Sequence, residues 1–183
     1  MNLVNTKLDG VYVAETDYFT DSRGGFARLF CKRDLQPAIN GRDIVQVNFS
    51  QTEACGAVRG LHLQHPPHSE MKFVRCIKGR VWDVVVDLRA ESATFMQWHA
   101  EELSQLNARM LVIPEGCAHG FQTLEAESEL LYLHTEYYTP EAEDGFAYND
   151  PLINILWPLP VTEISVRDQG HPELSQNFTG IIV

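Results

Sequence analysis

The chain has 183 residues, with 14 Lys and Arg against 25 Asp and Glu, giving a formal net charge of −11. A chain of this length buries roughly two-thirds of the surface its unfolded form exposes, enough for one ordinary core and one domain. The negative sign excludes broad attraction to nucleic acid or anionic membranes, and no apolar run approaches the roughly eighteen residues of a membrane-spanning helix.

The opening MNLVNTKLDG has one Lys and no apolar segment, unlike a secretory signal or transit peptide, so the chain is expected in the cytoplasm. The stretch Val11 to Phe19 is strand-like and is free to pair within one subunit or across two. Lys32 to Asn40 carries Pro37 and has only weak helical period. Ile44 to Phe49 alternates as a half-buried strand does, with Val45, Val47 and Phe49 on one face and Gln46 and Asn48 on the other. Met71 to Ile77 and Val81 to Leu88 are β-branched-rich and flank Lys78-Gly79-Arg80, which predicts a hairpin.

Glu101 to Arg109 has room for a couple of helical turns. Met110 to Ile113, Phe121 to Leu124 and Glu129 to Glu136 read as strands, the last with Leu130, Tyr132 and His134 on one side. From Tyr138 to Val183 five prolines (140, 151, 158, 160, 172) predict extended chain wrapping the rest. Many short strands with accessory helices indicate an all-β sandwich or closed barrel, of which the jelly roll is one form. Cysteines 31, 55, 76 and 117 are scattered, with no CxxC pair, and are expected reduced and mostly buried.

Three clusters carry chemical potential. Val58 to His68 places Arg59, His62 and Gln64 within six residues; a guanidinium grips phosphate in two parallel bonds and an imidazole exchanges protons near neutral pH. The same residues fit a structural histidine beside a surface arginine. Pro114 to Phe121 predicts a tight bend at Gly116 and Gly120 around His119. Ser165-Val166-Arg167-Asp168 offers a carboxylate able to orient an imidazole, or simply a solvated surface acid. Histidines 62, 65, 68 and 119 invite a metal reading. The spacing opposes it: Gln64 stands where an H-x-H pair needs its second histidine, and Pro66-Pro67 interrupts the strand.

Taken in order, the stretches Asp21 to Phe26, Gln46-Val47-Asn48, Arg59 to His62, Met71 to Val74, Asp83 to Arg89, Ala118 to Phe121, Tyr132, Tyr137 to Glu141, Asn149 to Pro151, Ile155 to Pro158 and Ser165 to Asp168 resemble the dTDP-4-dehydrorhamnose 3,5-epimerase family of the cupin superfold. The resemblance runs from about Leu8 to Pro172. It implies a homodimeric, all-β, cupin-type jelly-roll barrel with short peripheral helices, one domain over residues 1–183, acting on a nucleotide-linked 4-keto-6-deoxyhexose such as the dTDP sugar without metal or cofactor.

Position by position, the resemblance makes His62 the base, Asp168 its carboxylate partner, Tyr132 the opposing acid and Lys72 the cation at the C4 oxygen. His119 matches a substrate-binding position. Arg23 and Arg59 match diphosphate or sugar contacts, Phe26, Gln46 and Asn48 the base and sugar pocket, Tyr138 the aromatic stacking on the base, and Glu143 a further binding position. Arg28 stands where many members carry Glu and Arg167 where Lys is common; Tyr148 and Met71 also depart from the pattern. Arg23, Arg28, Arg59, Lys72 and Arg167 are thereby expected to make one basic cleft in an acidic exterior. Alternatives on the same scaffold are epimerases acting at C3 or C5 alone and a 3,4-ketoisomerase; outside it stand a metal-dependent oxygenase and a non-catalytic nucleotide-sugar binder.

Overall fold

In a computed structural model describing residues 1–183, thirteen strands and two short helices make up the regular structure. The chain begins β1 (Asn2–Asn5), β2 (Tyr12–Glu15), β3 (Tyr18–Asp21), β4 (Gly24–Ala27), α1 (Gln36–Ile39), β5 (Gln46–Thr52), β6 (Val58–Gln64) and β7 (Lys72–Lys78). It continues β8 (Arg80–Asp87), β9 (Trp98–Ser104), β10 (Met110–Ile113), β11 (Cys117–Thr123), β12 (Ser128–His134), β13 (Glu143–Gly145) and α2 (Val166–Gln169).

Two antiparallel sheets face each other, of order β1-β2-β10-β7-β12-β5 and β13-β6-β11-β8-β9, with β3-β4 as a separate ribbon. Period-two side chains explain the layering. Val74, Cys76, Leu111 and Leu130 from the first sheet meet Val81, Val85, Leu103 and Phe121 from the second in a central core. The opposite face of the second sheet, with Leu61, Leu63, Val84 and Val86, is covered by Phe146, Ile153, Ile155, Leu174 and Ile181 of the C-terminal wrap. Leu35 at the start of α1 and Ile39 at its end cover the outer face of the first sheet over Ala14, Phe73 and Met110.

Several expectations change. The predicted hairpin at Lys78-Gly79-Arg80 does not form: β7 pairs with β10 and β12, β8 with β9 and β11, so the chain crosses between sheets at Gly79. In a two-sheet sandwich a short connection serves a crossing as well as a hairpin. The helical turns expected over Glu101 to Arg109 are instead the end of β9 and the turn after it, because pairing with β8 from Val86↔Trp98 to Arg80↔Ser104 claims the backbone. Within Val11 to Phe19 there are two strands, and β2 pairs with β1 and β10 of its own chain. His119 sits on β11 rather than in a bend. Cys76 and Cys117 are buried as expected, but Cys31 is half-buried and Cys55 exposed; all four are free.

The strand expected at Ile44 to Phe49 forms as β5, at one edge of its sheet, with its polar side facing inward. The apolar face expected to be buried is uncovered: Val47 is 57% and Phe49 56% exposed. No helix is long and apolar enough to cross a membrane.

Candidate active site

Between the sheets, at the end where β5, β6, β12 and β13 lie, is an open cavity of about 1050 Å³. Strand alternation points Gln46, Asn48, Lys72, Tyr132 and His134 into it from one sheet, and Arg59, His62, Gln64 and His119 from the other. A regular β6 would send Arg59, Leu61 and Leu63 to one face and His62 to the other. Instead the register with β11 shifts between His119↔His62 and Phe121↔Arg59, at Gly60, whose φ of +113° is costly for any residue with a Cβ. The shift turns both Arg59 and His62 to the cavity while Leu61 and Leu63 enter the core behind it.

His62 Nε2 lies 2.8 Å from Asp168 Oδ1, and the Gly60 amide donates to Asp168 Oδ2 at 3.0 Å. Asp168 is on α2, capped by Ser165 Oγ, which accepts from the Asp168 amide at 3.0 Å. Burial pushes the Asp168 carboxyl up, but the hydrogen bonds from His62 and Gly60 and the His62 charge outweigh it and hold the group at about 2. It is therefore ionised at neutral pH, and it holds Nε2 so that His62 Nδ1 is the nitrogen left to take up a proton.

From the facing sheet, Tyr132 shares a hydrogen bond of 2.9 Å with Ser50 Oγ. Burial raises the phenol well above its ordinary range, so it stays protonated. Lys72 Nζ donates to the His62 carbonyl at 3.1 Å and pairs with Glu70 Oε1 at 3.0 Å. His119 Nε2 sits 3.0 Å from both oxygens of the fully buried Asp83, and its ring meets Tyr132 edge-on at 6.2 Å between centroids. Burial, with the Lys72 charge adding to it, lowers His134 to about 4, so that ring is neutral.

At the mouth, Tyr138 Oη donates to Glu143 Oε2 at 2.6 Å and Arg167 Nη2 reaches the same oxygen at 2.8 Å. The Tyr138 amide donates to Gln46 Oε1 at 3.0 Å, and Gln46 Nε2 to Asn48 Oδ1 at 3.2 Å. Arg59 donates to Thr52 Oγ1 and the Gln51 carbonyl, leaving its charge without a carboxylate partner.

The structure thus brings His62, Asp168, Tyr132, Lys72, His119, Gln46, Asn48, Arg59, Tyr138, Glu143 and Arg167 to one cavity. It does not bring Arg23, Phe26 or Arg28 there within the same chain. They lie on or beside the β3-β4 ribbon, where Arg23 pairs with Asp21 at 2.6 Å, Arg28 with Asp34 at 3.5 Å, and Phe26 is 72% exposed. Asp83, Glu70, Ser50 and His134 are given no site role by the sequence, although Asp83 opens one of the matched stretches. The shared face of Tyr132 and His134 is the available signal for the last.

Fold and site together define a cupin-type jelly roll with an acid–base cavity between its sheets. The chain matches the dTDP-4-dehydrorhamnose 3,5-epimerase family over residues 5–176. It is 41% identical to the dTDP-4-dehydrorhamnose 3,5-epimerase of Salmonella typhimurium across 96% of this chain and 97% of that one. A dTDP-6-deoxy-D-glucose-3,5-epimerase from Legionella pneumophila, solved with dTDP-4-keto-L-rhamnose, superposes with a TM-score of 0.89 at 37% identity, covering 94% of this chain and 92% of that one. A 3'-monoepimerase from Streptomyces bikiniensis, solved with dTDP-quinovose, gives 0.85 at 28% identity over 94% of this chain and 87% of that one. The chain belongs to the dTDP-4-dehydrorhamnose 3,5-epimerase family.

Proposed function

We propose that the protein is an isomerase that epimerises a dTDP-linked 4-keto-6-deoxyhexose at C3 and C5. The observation that carries this is the dyad of His62 on β6 with Asp168 on α2, facing the protonated Tyr132 of the other sheet across a cavity large enough for a sugar nucleotide.

The C4 ketone acidifies the hydrogens on C3 and C5, and loss of either puts charge on the C4 oxygen. His62 Nδ1 takes the proton and Asp168 stabilises the imidazolium that results. The Lys72 ammonium stabilises the enolate oxygen. Tyr132 delivers a proton to the opposite face, which inverts the carbon. Arg59 holds the diphosphate, Gln46 and Asn48 contact the nucleoside or sugar, His119 the sugar ring, and Tyr138 stacks on the base, with Glu143 and Arg167 framing it.

The active form is a homodimer in which the β3-β4 ribbon of one subunit reaches the cavity of the other, taking Arg23, Phe26 and Arg28 to the nucleotide. Support comes from the exposure of Phe19 (63%) and Phe26 (72%) on the ribbon and of Val47 and Phe49 on the edge strand, large apolar side chains that an interface would cover.

Proton NMR in deuterated water with dTDP-4-keto-6-deoxyglucose tests the chemistry. Deuterium entering at C3 and C5, with inversion of both, is the expected result; entry at one carbon makes the protein a single-site epimerase, and entry at neither rejects the assignment.

A further inference from the structure

We propose that His62, Asp168 and His171 form a site for one zinc-type transition-metal ion, and that the ion switches the base off. His62 Nε2 lies 2.8 Å and His171 Nε2 3.7 Å from the same oxygen, Asp168 Oδ1. All three donor atoms fall within 4.8 Å of one another. Ligands bound to zinc at about 2.0–2.1 Å in a tetrahedron stand about 3.3 Å apart, so an ion enters this triangle with small side-chain adjustments.

His171 has no other occupation in the structure. Its Nε2 is buried without a hydrogen-bond partner, an uncommon state for a buried polar atom. The ring is nonetheless held. It meets the His62 ring edge-on at 5.5 Å between centroids, and it rests on Gly145, the β13 residue registered with His62, where a Cβ would lie 2.4 Å from the ring. Two imidazoles and one carboxylate suit zinc or cobalt rather than magnesium or calcium, which favour oxygen shells. His62 and Asp168 line the cavity, so the ion arrives from there and a water completes its shell on that side. Sequence spacing directs attention to histidines 62, 65, 68 and 119; the fold selects a different partner, from the C-terminal wrap.

Inhibition follows from the imidazole's single proton. In the free enzyme Nε2–H donates to Asp168 and the Nδ1 lone pair is open. When the metal takes the Nε2 lone pair, the proton moves to Nδ1, no electron is transferred, and the lone pair that abstracts from C3 and C5 is gone. This half rests on the base role of His62 proposed above; metal binding itself does not.

Two measurements on the full-length protein, stripped of metal with a chelator, separate them. Cobalt titration should produce visible ligand-field bands saturating at one ion per chain, and zinc calorimetry the same stoichiometry. Affinity should fall roughly tenfold or more in H171N and H171A and stay unchanged in H65A, which removes the separate His65–Asp144 pair. No bands in the unsubstituted protein, or equal affinity in H171N, overturns the site. Zinc should also suppress deuterium exchange into the keto sugar, reversibly with chelator, and H171N should need at least about tenfold more zinc for the same fractional loss. Cobalt binding through His171 with exchange indifferent to zinc overturns the switch. If the metal-free enzyme shows no exchange, the epimerase assignment fails while the cobalt titration still decides the site.

Discussion

Asp168→Asn removes one charge from the dyad with almost no change in volume. The carboxylate accepts from the Gly60 amide at 3.0 Å and from His62 Nε2 at 2.8 Å. In the variant the side-chain oxygen stays with the Gly60 N–H, since the reverse orientation sets two donors against each other. The NH₂ group then faces His62, whose Nε2 must become an acceptor and whose proton shifts to Nδ1. Nδ1, the nitrogen proposed to take the proton from carbon, loses its lone pair while the geometry persists. A comparable tautomer reversal in a Ser-His-Asp triad lowers turnover by about 10⁴, so exchange at C3 and C5 should fall by roughly 10³–10⁴. Stability changes too. The folded carboxyl titrates at about 2 against an ordinary 3.8. A lowered carboxyl pKa stabilises the fold fully above about pH 4, and that contribution, about 2 kcal/mol, disappears as pH falls through 2. The substitution therefore lowers stability at pH 7 by about that amount and flattens its dependence on pH between about 4 and 2. Deuterium exchange by NMR reads the first effect and urea unfolding at pH 7 and pH 3 the second. Exchange within about tenfold of the parent would falsify the tautomer argument, because Brønsted-type losses for a misprotonated base are larger than that.

Tyr132→Phe keeps the ring against His119 but removes the proton donor. Deuterium should still wash into the substrate while inversion falls by roughly 10²–10⁴, the usual worth of a positioned acid; equal loss of both would assign Tyr132 to binding alone. Val47→Asp places a charge on the uncovered face of β5, where Val47 is 57% exposed. Sedimentation should show the parent at twice its 20.7 kDa chain mass and the variant at one. A monomeric parent removes the dimer proposal.

The strands were legible from short apolar runs: β7 and β8 lie where β-branched-rich segments predict, β10 where an apolar run ends at Pro114, and β12 where Leu130, Tyr132 and His134 share a side. Which strands pair was not legible. Lys78-Gly79-Arg80 has hairpin chemistry, yet the partners of β7 and β8 lie far along the chain. The helical expectation for Glu101 to Arg109 fails for a related reason, since an edge strand half-open to solvent carries charges in a pattern short enough to mimic a turn of helix. At the site, the residues carried over from the family resemblance meet in one cavity except those of the β3-β4 ribbon. The shift at Gly60 that lets Arg59 and His62 share a face has no signature beyond the glycine itself. Glu70 and His171 carried no period or motif to raise them above ordinary polar positions, and Asp83 stood in a matched stretch without a role. Their significance lies in contacts that only the fold creates: Asp83 with His119, Glu70 with Lys72 at the cavity wall, and His171 with Asp168 above Gly145.

The charge balance of the cavity bears on the dimer proposal. The expected basic cleft is not built by one chain. Three cations (Arg59, Lys72, Arg167) and five carboxylates (Glu70, Glu136, Glu143, Glu163, Asp168) line the cavity. Lys72 is matched by Glu70 at 3.0 Å and Arg167 by Glu143 at 2.8 Å, which leaves Arg59 as the cation free to meet a diphosphate. One guanidinium is a weak counter to a nucleotide diphosphate inside a protein of charge −11. Arg23 and Arg28 are the cations the proposed dimer would supply, and each is held now only by a surface ion pair, weak enough to be exchanged for phosphate. In the proposed dimer their transfer with Phe26 adds two positive charges and a second aromatic face to a cavity mouth where Tyr138 already stands and Arg167 is matched by Glu143. The acidic exterior and the anionic ligand are then compatible, because the cationic half of the nucleotide site arrives from the partner along with the apolar surface that fastens it.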